Sequence, residues 1–227
     1  VIPSQKQWNQ GLAERHGACL QKRFSEATVA VCGLGGLGSH IAPALARAGV
    51  GTLILIDFDR VDMKNLHRQQ YRVSQIGIYK TEALRENLRE IAPYCRIETK
   101  TERITGENLV LLLQGADVIC EALDAAEEKA ALVNGVLEKM PDQYLVAASG
   151  MAGLGSPNEI HTRKITNHFY ICGDECSEVS AVQAMFAPRA MACAAHQAQT
   201  VLRILAGTTE ERGVYDEGTG HTDNRRT

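Results

Sequence analysis

The sequence of 227 residues lacks any apolar run near the ~20 residues that a membrane-spanning helix needs. Its first ten residues, VIPSQKQWNQ, contain no apolar stretch of the kind found in signal peptides. Positive charge is not in excess either, because 24 Lys and Arg face 27 Asp and Glu, for a formal net charge of −3. The seven cysteines are an odd number, and Cys32 and Cys120 lie in apolar runs where buried free thiols are ordinary. We therefore expect a cytoplasmic protein with no membrane contact and no nucleic acid partner.

Apolar runs rich in β-branched residues alternate with segments of helical character. The runs predict strands at residues 28–33, 52–57, 116–121 and 144–149. The segments between and after them predict helices at residues 36–49, 80–91, 106–114 and 126–139. Continuous apolar strands separated by helices are typical of a parallel sheet covered on both faces. We predict an α/β, doubly wound, Rossmann-like fold with ligands at the carboxyl ends of its strands.

The pattern changes after Gly150. EIHTRKI and HFYICG predict shorter strands that add to the sheet in antiparallel fashion near the C-terminal end. The polar stretch 172–183 predicts a surface loop, and residues 187–206 predict a helix with Gly207 as its C-cap. With no internal repeat or linker, we expect a single domain over residues 1–227. Its N-terminal helix region would span residues 1–24, and residues 208–227 would form a flexible tail.

A glycine-rich stretch, VAVCGLGGLGSH at residues 29–40, joins the first strand to a helix. Its glycines permit a tight turn, close approach of the backbone to a phosphate, and close packing of the helix on the sheet. The helix N-terminus then presents free N–H groups to the anion. A structural turn without a ligand is the alternative, and the glycines alone fit NAD as well as ATP. The glycines concerned are Gly33, Gly35, Gly36 and Gly38.

Acidic residues follow the second strand. Asp57 ends it, where a carboxylate accepts hydrogen bonds from ribose hydroxyls in either kind of nucleotide. Asp59 lies on the same side of an extended chain and either joins the site or occupies a surface turn.

The stretch IDFDRVDMKNLHRQQY, residues 56–71, distinguishes the two nucleotides. It brings Asn65, Arg68 and Gln69 close to the glycine turn, and Lys80 begins the next helix. A lone lysine at a helix start is usually a solvated side chain. Arginine and lysine together at one phosphate site can hold a triphosphate and stabilise departing pyrophosphate. This combination favours ATP over a dinucleotide.

Asp124 follows the strand at 116–121 and precedes a helix. It therefore lies at the carboxyl edge of the sheet, on the ligand side. There it either helps to hold Mg²⁺ beside a triphosphate or serves only as a helix cap.

These residues, in this order and spacing, resemble the ThiF/MoeB family, bacterial relatives of the ubiquitin-activating enzymes. The resemblance covers residues 10–207 and is strongest in the run DFDRVDMKNLHRQ. Within the family, the sequence looks most like compact ThiF proteins of thiamine biosynthesis. The resemblance implies an adenylyltransferase that uses ATP and Mg²⁺ to activate a small ubiquitin-like sulfur-carrier protein ending in Gly-Gly. Pyrophosphate would leave, and a sulfur donor would convert the acyl-adenylate to a thiocarboxylate.

The resemblance also implies roles for single residues. The glycine turn would cradle the phosphates, and Asp57 and Asp59 would face the ribose and the metal. Asn65, Arg68 and Lys80 match the family's phosphate-binding set, and Asp124 matches its magnesium acid. The family uses an N-terminal arginine that enters the partner subunit's site, for which Arg15 is the candidate. That role requires a homodimer, whereas a solvated helix residue is the alternative.

Two family features are absent. Many relatives hold a structural zinc with two CxxC pairs, but here Cys172 and Cys176 are spaced CxxxC and no second pair exists, so zinc is not expected. Relatives also carry a cysteine that links covalently to the carrier, and that position falls near Ser180. Cys176 in the same loop is either an exposed reactive thiolate that replaces it or an incidental surface thiol.

Other functions stay open on the sequence alone. An NAD-dependent oxidoreductase would explain the glycines and Asp57 but would leave Arg68, Lys80 and Asp124 without a role. A tRNA-modifying dehydratase of the same superfamily is disfavoured by the net charge of −3. A non-catalytic protein that only docks carriers would have no use for phosphate-binding residues.

Overall fold

The structure is a computed structural model that describes residues 2–178 and 184–209. These residues contain a seven-stranded sheet in the order β3-β2-β1-β4-β5-β7-β6. Its strands are β1 Thr28–Cys32, β2 Thr52–Ile56, β3 Arg96–Lys100, β4 Val118–Glu121, β5 Tyr144–Ala148, β6 His161–Lys164 and β7 Phe169–Gly173. The helices are α1 Gln5–His16, α2 Ala18–Glu26, α3 Gly38–Arg47, α4 Lys80–Ile91, α5 Leu109–Leu113, α6 Ala126–Lys139 and α7 Ala187–Ala206.

Helices cover both faces of this sheet, and the predicted doubly wound fold is confirmed. Leucine and isoleucine side chains of α3 and α4 pack with α7 on one face. Side chains of α5 and α6 pack on the other face. Both faces of the central strands are thereby buried, which explains why their sequences are continuous apolar runs rather than alternating ones.

Three details differ from the sequence predictions. β7 runs parallel to β5, and only the β6–β7 pair is antiparallel. β3 was not predicted, because the edge strand RIETK is half-exposed and has no apolar run. The N-terminal region forms two helices rather than one, since Gly17, at φ 83°, ends α1 and precedes α2.

The C-terminal helix ends as predicted, with Gly207 in the left-handed conformation at its C-cap. The predicted tail at 208–227 lies outside the described residues beyond position 209, and Ser180 lies outside them too. Within residues 2–178 and 184–209, no helix combines the length and apolar character needed to cross a bilayer.

The order in which strands are added to the sheet reverses between β1 and β4, with β2 and β3 on one side of this point and β5 on the other. α3 leads from β1 to β2 on one face, whereas α6 leads from β4 to β5 on the opposite face. Connections that diverge in this way open a crevice at the carboxyl ends of the two strands. The fold therefore places a binding cleft where the glycine-rich turn, Asp57 and Asp124 emerge.

Candidate nucleotide-binding site

A cavity of about 430 Å³ occupies this crevice. Its walls come from the turns after β1, β2, β4 and β5 and from the loop after β7. Of the residues singled out in the sequence, the cavity is lined by Gly33, Gly35, Gly36, Asp57, Asp59, Arg68, Lys80, Asp124 and Cys176. Gly38, Asn65, Gln69 and Arg15 are not among its lining residues.

The glycine-rich turn is held in shape by the end of β2. The Gly33 amide donates to the Ile56 carbonyl at 2.8 Å, and the Leu34 amide donates to Asp57 Oδ2 at 2.7 Å. Gly33 has φ 91°, and a Cβ there would lie 2.6 Å from the Ala122 carbonyl oxygen. Asp57 is thus bound to the backbone of the turn as well as facing the cavity.

Gly36 and Gly38 have different reasons to lack a side chain. A Cβ at Gly38 would lie 1.9 Å from the Gly33 carbonyl oxygen, which is fixed backbone. A Cβ at Gly36 would meet only flexible side chains, with Met185 Sδ at 3.3 Å and Arg68 Cδ at 3.5 Å. Gly38 is therefore required for packing, and Gly36 keeps the cavity open.

We expect Gly36→Ala and Gly38→Ala to distinguish the effect on ATP binding from the effect on packing. Gly38→Ala should lower the free energy of unfolding by about 3 kcal/mol or more, because backbone must move. Gly36→Ala should leave the unfolding temperature nearly unchanged and weaken ATP binding about tenfold. Thermal unfolding and calorimetric titration with ATP measure the two effects. Equal destabilisation by both substitutions would contradict this division.

Lys80 lies beneath the cavity between two carboxylates. Its side chain is only 5% exposed, and Nζ lies 2.7 Å from Asp59 Oδ2 and 3.7 Å from Asp57 Oδ2. Burial raises the pKa of Asp57, and the Lys80 ammonium and the amides of Asp59 and Leu34 oppose that rise. Lys80 is therefore a buried, paired ammonium rather than a solvated side chain.

Arg68 reaches the cavity from the loop after β2. Its Nη1 donates to Asn65 Oδ1 at 3.1 Å, and its carbonyl oxygen lies 3.1 Å from His40 Nε2. Asn65 thus orients the guanidinium from outside the cavity. Gln69 is buried behind the turn, where its Nε2 would lie 3.5 Å from a Cβ on Gly35. The two amides predicted as nucleotide contacts support the site from behind it.

Asp124 is exposed at the cavity wall. The N-cap of α6 is Ala125, without a side-chain cap bond, so Asp124 does not cap that helix. No hydrogen bond or ion pair joins its carboxylate to another residue of the described chain. Those residues also contain no cluster of three or more His, Cys, Asp or Glu that could hold a metal ion. A single free carboxylate suits Mg²⁺, which usually keeps waters and phosphate oxygens as its other ligands.

Cys176 lies in the loop after β7 and is exposed. Loss of water contact, followed by the adjacent Asp174 carboxylate, raises the pKa of its thiol, and Arg189 only partly opposes this. The raised thiol pKa disfavours the reactive thiolate and favours the alternative of an incidental surface thiol.

Arg189 anchors this loop and was not found from the sequence. It is buried at the start of α7, where Nη1 donates to the Ser156 carbonyl at 2.8 Å and Nη2 pairs with Asp174. Burial alone would raise the pKa of Asp174, but hydrogen bonds from Ser177, Cys176 and Arg189 prevail and hold it well below its usual range. An arginine inside an otherwise apolar helix, MFAPRAMACAA, was the available signal.

Glu121 and Lys129 were also missed. Glu121 ends β4 with a fully buried carboxylate, and Lys129 Nζ lies 2.9 Å from it. The signal was an acid closing an apolar strand, VICE, with a lysine on the next helix.

Arg15 lies far from this chain's cavity. It is exposed on α1, whose Trp8 and Leu12 line a groove with Gly49 and Tyr94. Gly49 precedes β2 and Tyr94 precedes β3, so α1 lies at the amino ends of the strands. The cavity lies at their carboxyl ends, and Arg15 could serve such a site only in another copy of the chain.

Known proteins resemble this chain in sequence. The chain is 34% identical over 159 residues to tRNA threonylcarbamoyladenosine dehydratase of Escherichia coli, covering 67% of this chain and 58% of that protein. It is 35% identical over 145 residues to adenylyltransferase and sulfurtransferase MOCS3 of Drosophila willistoni, covering 59% of this chain and 32% of that protein. This chain thus spans little more than half of the first relative and about a third of the second.

Solved structures agree at the level of the fold. The E. coli tRNA N6-threonylcarbamoyladenosine dehydratase in complex with ATP superposes with a TM-score of 0.81 and 23% identity. That match covers 94% of this chain and all of the other. E. coli MccB with MccA-N7isoASN gives a TM-score of 0.65 at 24% identity, over 84% of this chain and 60% of that one. Residues 8–224 match the ThiF family, which confirms the resemblance seen in the sequence, and the chain belongs to that family.

Proposed function

We propose that this chain binds ATP and transfers its adenylyl group to a carboxylate, releasing pyrophosphate. One observation carries the proposal: Arg68, Lys80 and the unpartnered Asp124 carboxylate line a single cavity with the glycine-rich turn. A dinucleotide would use the glycines and Asp57 but would leave these three groups without a role. A protein that only docks a partner would not need them either.

The reaction asks little acid–base chemistry of the protein. An oxygen of the ionised substrate carboxylate attacks the α-phosphorus, the bond to the bridging oxygen breaks, and pyrophosphate leaves with that oxygen. Arg68 and Lys80 stabilise the charge that builds on the leaving oxygens, and the glycine-rich turn positions the phosphates. Asp124 would hold Mg²⁺, which neutralises further phosphate charge when bound. Asp57 and Asp59 hold Lys80 in place until the triphosphate arrives.

For the substrate, we propose first the carboxylate of threonylcarbamoyladenosine in tRNA. The E. coli dehydratase matches more of this chain than the MOCS3 relative does. Its substrate carries the free carboxylate of threonine, and adenylation makes that oxygen a leaving group, as loss of water requires. This substrate was the alternative in the sequence analysis, where the net charge argued against nucleic acid. The relatives support it better than they support a sulfur carrier for thiamine biosynthesis.

The C-terminal carboxylate of a ubiquitin-like sulfur carrier stands second. Its support is the similarity to MOCS3, which is named as an adenylyltransferase and sulfurtransferase. The raised pKa of the Cys176 thiol disfavours the covalent step that such a carrier could use. Arg15 takes part in either version only through a second copy, which would require a homodimer.

Pyrophosphate exchange tests the proposal directly. Purified chain, Mg²⁺, ATP and labelled pyrophosphate are incubated with tRNA containing threonylcarbamoyladenosine, with the same tRNA lacking the threonylcarbamoyl group, or with a carrier ending in Gly-Gly. We expect label in ATP only with the modified tRNA. Exchange with the carrier alone would support the second substrate, whereas no exchange together with tight NAD binding would overturn adenylation itself.

A further inference from the structure

An ion pair between a buried carboxylate and a partly exposed lysine supports the turn that carries Asp124. Glu121 at the end of β4 is fully buried, and Lys129 in the second turn of α6 has a side chain 22% exposed. Lys129 Nζ lies 2.9 Å from Glu121 Oε1. Lys129 itself lines the cavity at its β4 wall, whereas Glu121 lies behind that wall and is not among the lining residues.

The Glu121–Lys129 pair bonds both backbone groups of Leu123. The Leu123 amide donates to Glu121 Oε1 at 2.7 Å, and the Leu123 carbonyl accepts from Lys129 Nζ at 2.9 Å. The next residue is Asp124, whose own side chain has no partner among residues 2–178 and 184–209. The direction of the Asp124 carboxylate is therefore set by the backbone before it, which the pair fixes.

Glu121 also acts where β4 and β5 separate. The last paired residues of these strands are Cys120 and Val146. Beyond them, Glu121 Oε2 accepts from the Ala148 amide at 3.3 Å, and Gln197 Nε2 donates to the Glu121 carbonyl at 2.8 Å. Side chains thus replace the ladder bonds at the point where the strands part to form the cavity.

We infer that Glu121 and Lys129 are positioning residues that aim the Asp124 carboxylate at the metal–triphosphate site. The inference rests on the proposed function, in which Asp124 holds Mg²⁺. An ion pair with a buried member gives little net stability over apolar side chains of the same size, so its main effect here is directional. Groups that orient a metal ligand typically change metal affinity by about 10–100-fold.

The test compares Lys129→Met with Lys129→Arg, which keeps the charge, and with Lys139→Met. Lys139 lies at the other end of α6 and bonds the Gly106 carbonyl, so it is a matched control. ATP binding is measured calorimetrically in EDTA and during titration with Mg²⁺. For Lys129→Met we expect the Mg²⁺ concentration at half-saturation to rise about tenfold or more. Its ATP affinity in EDTA should change less than twofold, and Lys129→Arg should restore most of the loss.

Glu121→Gln should shift the Mg²⁺ half-saturation in the same direction, since it keeps an acceptor for the Leu123 amide but loses the ion pair. Adding Lys129→Met to Asp124→Asn should have no further effect on it. If Asp124→Asn itself leaves the half-saturation unchanged, the proposed metal role fails. If Asp124→Asn raises it and Lys129→Met does not, only the positioning role fails. An equal loss of ATP affinity with and without Mg²⁺ in Lys129→Met would also overturn it, because Lys129 would then bind phosphate directly or support the fold alone.

Discussion

A Lys80→Met variant should unfold at a lower temperature than the wild type at pH 8, and the deficit should shrink at pH 5. Removing the ammonium leaves Asp57, which is 8% exposed, without its ion-pair partner. Loss of one member of a buried pair typically costs about 3 kcal/mol, or roughly 6–12 °C for a chain of this size. Pyrophosphate exchange should fall by about 100-fold or more, because a cation at the leaving phosphates is lost.

The pH dependence follows from the raised pKa of Asp57. A carboxyl with a higher pKa in the folded state than in the unfolded state binds its proton more tightly when folded. Its contribution to stability therefore falls as pH rises through the folded pKa. Removing Lys80 raises the pKa of Asp57 further, so the stability contribution of this carboxyl keeps falling up to a higher pH. The loss of stability in the variant is therefore largest above the raised pKa.

Thermal unfolding of both proteins at pH 5, 6.5 and 8 measures this difference. Lys64→Met is the control, since Lys64 is 78% exposed and its pair with Asp62 spans 3.6 Å. That substitution should change stability by less than about 0.5 kcal/mol at every pH. A Lys80→Met deficit that stays constant with pH would mean that the lysine stabilises the fold by packing and not by charge.

The sequence was sufficient for the centre of the sheet but not for its edge. β1, β2, β4 and β5 are buried on both faces, so each has a continuous apolar sequence from which the strand can be predicted. β3 has the sequence RIETK, whose residues are exposed or half-buried, and its one apolar residue, Ile97, packs against the core. No periodicity analysis of RIETK alone distinguishes such a strand from a loop.

The positions of cavity residues were predictable where they depend on the order of strands and not on how a loop folds. The glycine turn, Asp57 and Asp124 closely follow strand ends, and the carboxyl ends of parallel strands converge at one edge of the sheet. Lys80 begins α4 instead and was predicted from its combination with Arg68. Asn65 and Gln69 differ because their distance from the cavity depends on how the loop folds back on itself. Asn65 bonds Arg68 and Gln69 lies under Gly35, and neither orientation is encoded in spacing. The Glu121–Lys129 and Arg189–Asp174 pairs depend on packing between distant elements, which a single sequence does not reveal.

An Arg68→Ala variant should lose pyrophosphate exchange by a factor of about 10²–10³ and keep its unfolding temperature. The guanidinium lies at the cavity wall beside Gly36, and its Nη1 donates to the neutral side-chain amide oxygen of Asn65. No carboxylate within the described residues forms an ion pair with it. Its positive charge is therefore available to a triphosphate, and its removal breaks no buried pair.

Arg72→Ala is the matched control, because Arg72 lies in the same loop, is about half exposed and pairs with Glu90 outside the cavity. It should leave exchange unchanged within about twofold, as expected for an exposed ion pair. Arg68→Lys should recover part of the rate, since an ammonium keeps the charge but not the two-pronged geometry of guanidinium. Binding of the carboxylate substrate in the absence of ATP should survive in Arg68→Ala. Exchange that also survives would separate Arg68 from phosphate chemistry and leave Lys80 as the main cation acting on pyrophosphate.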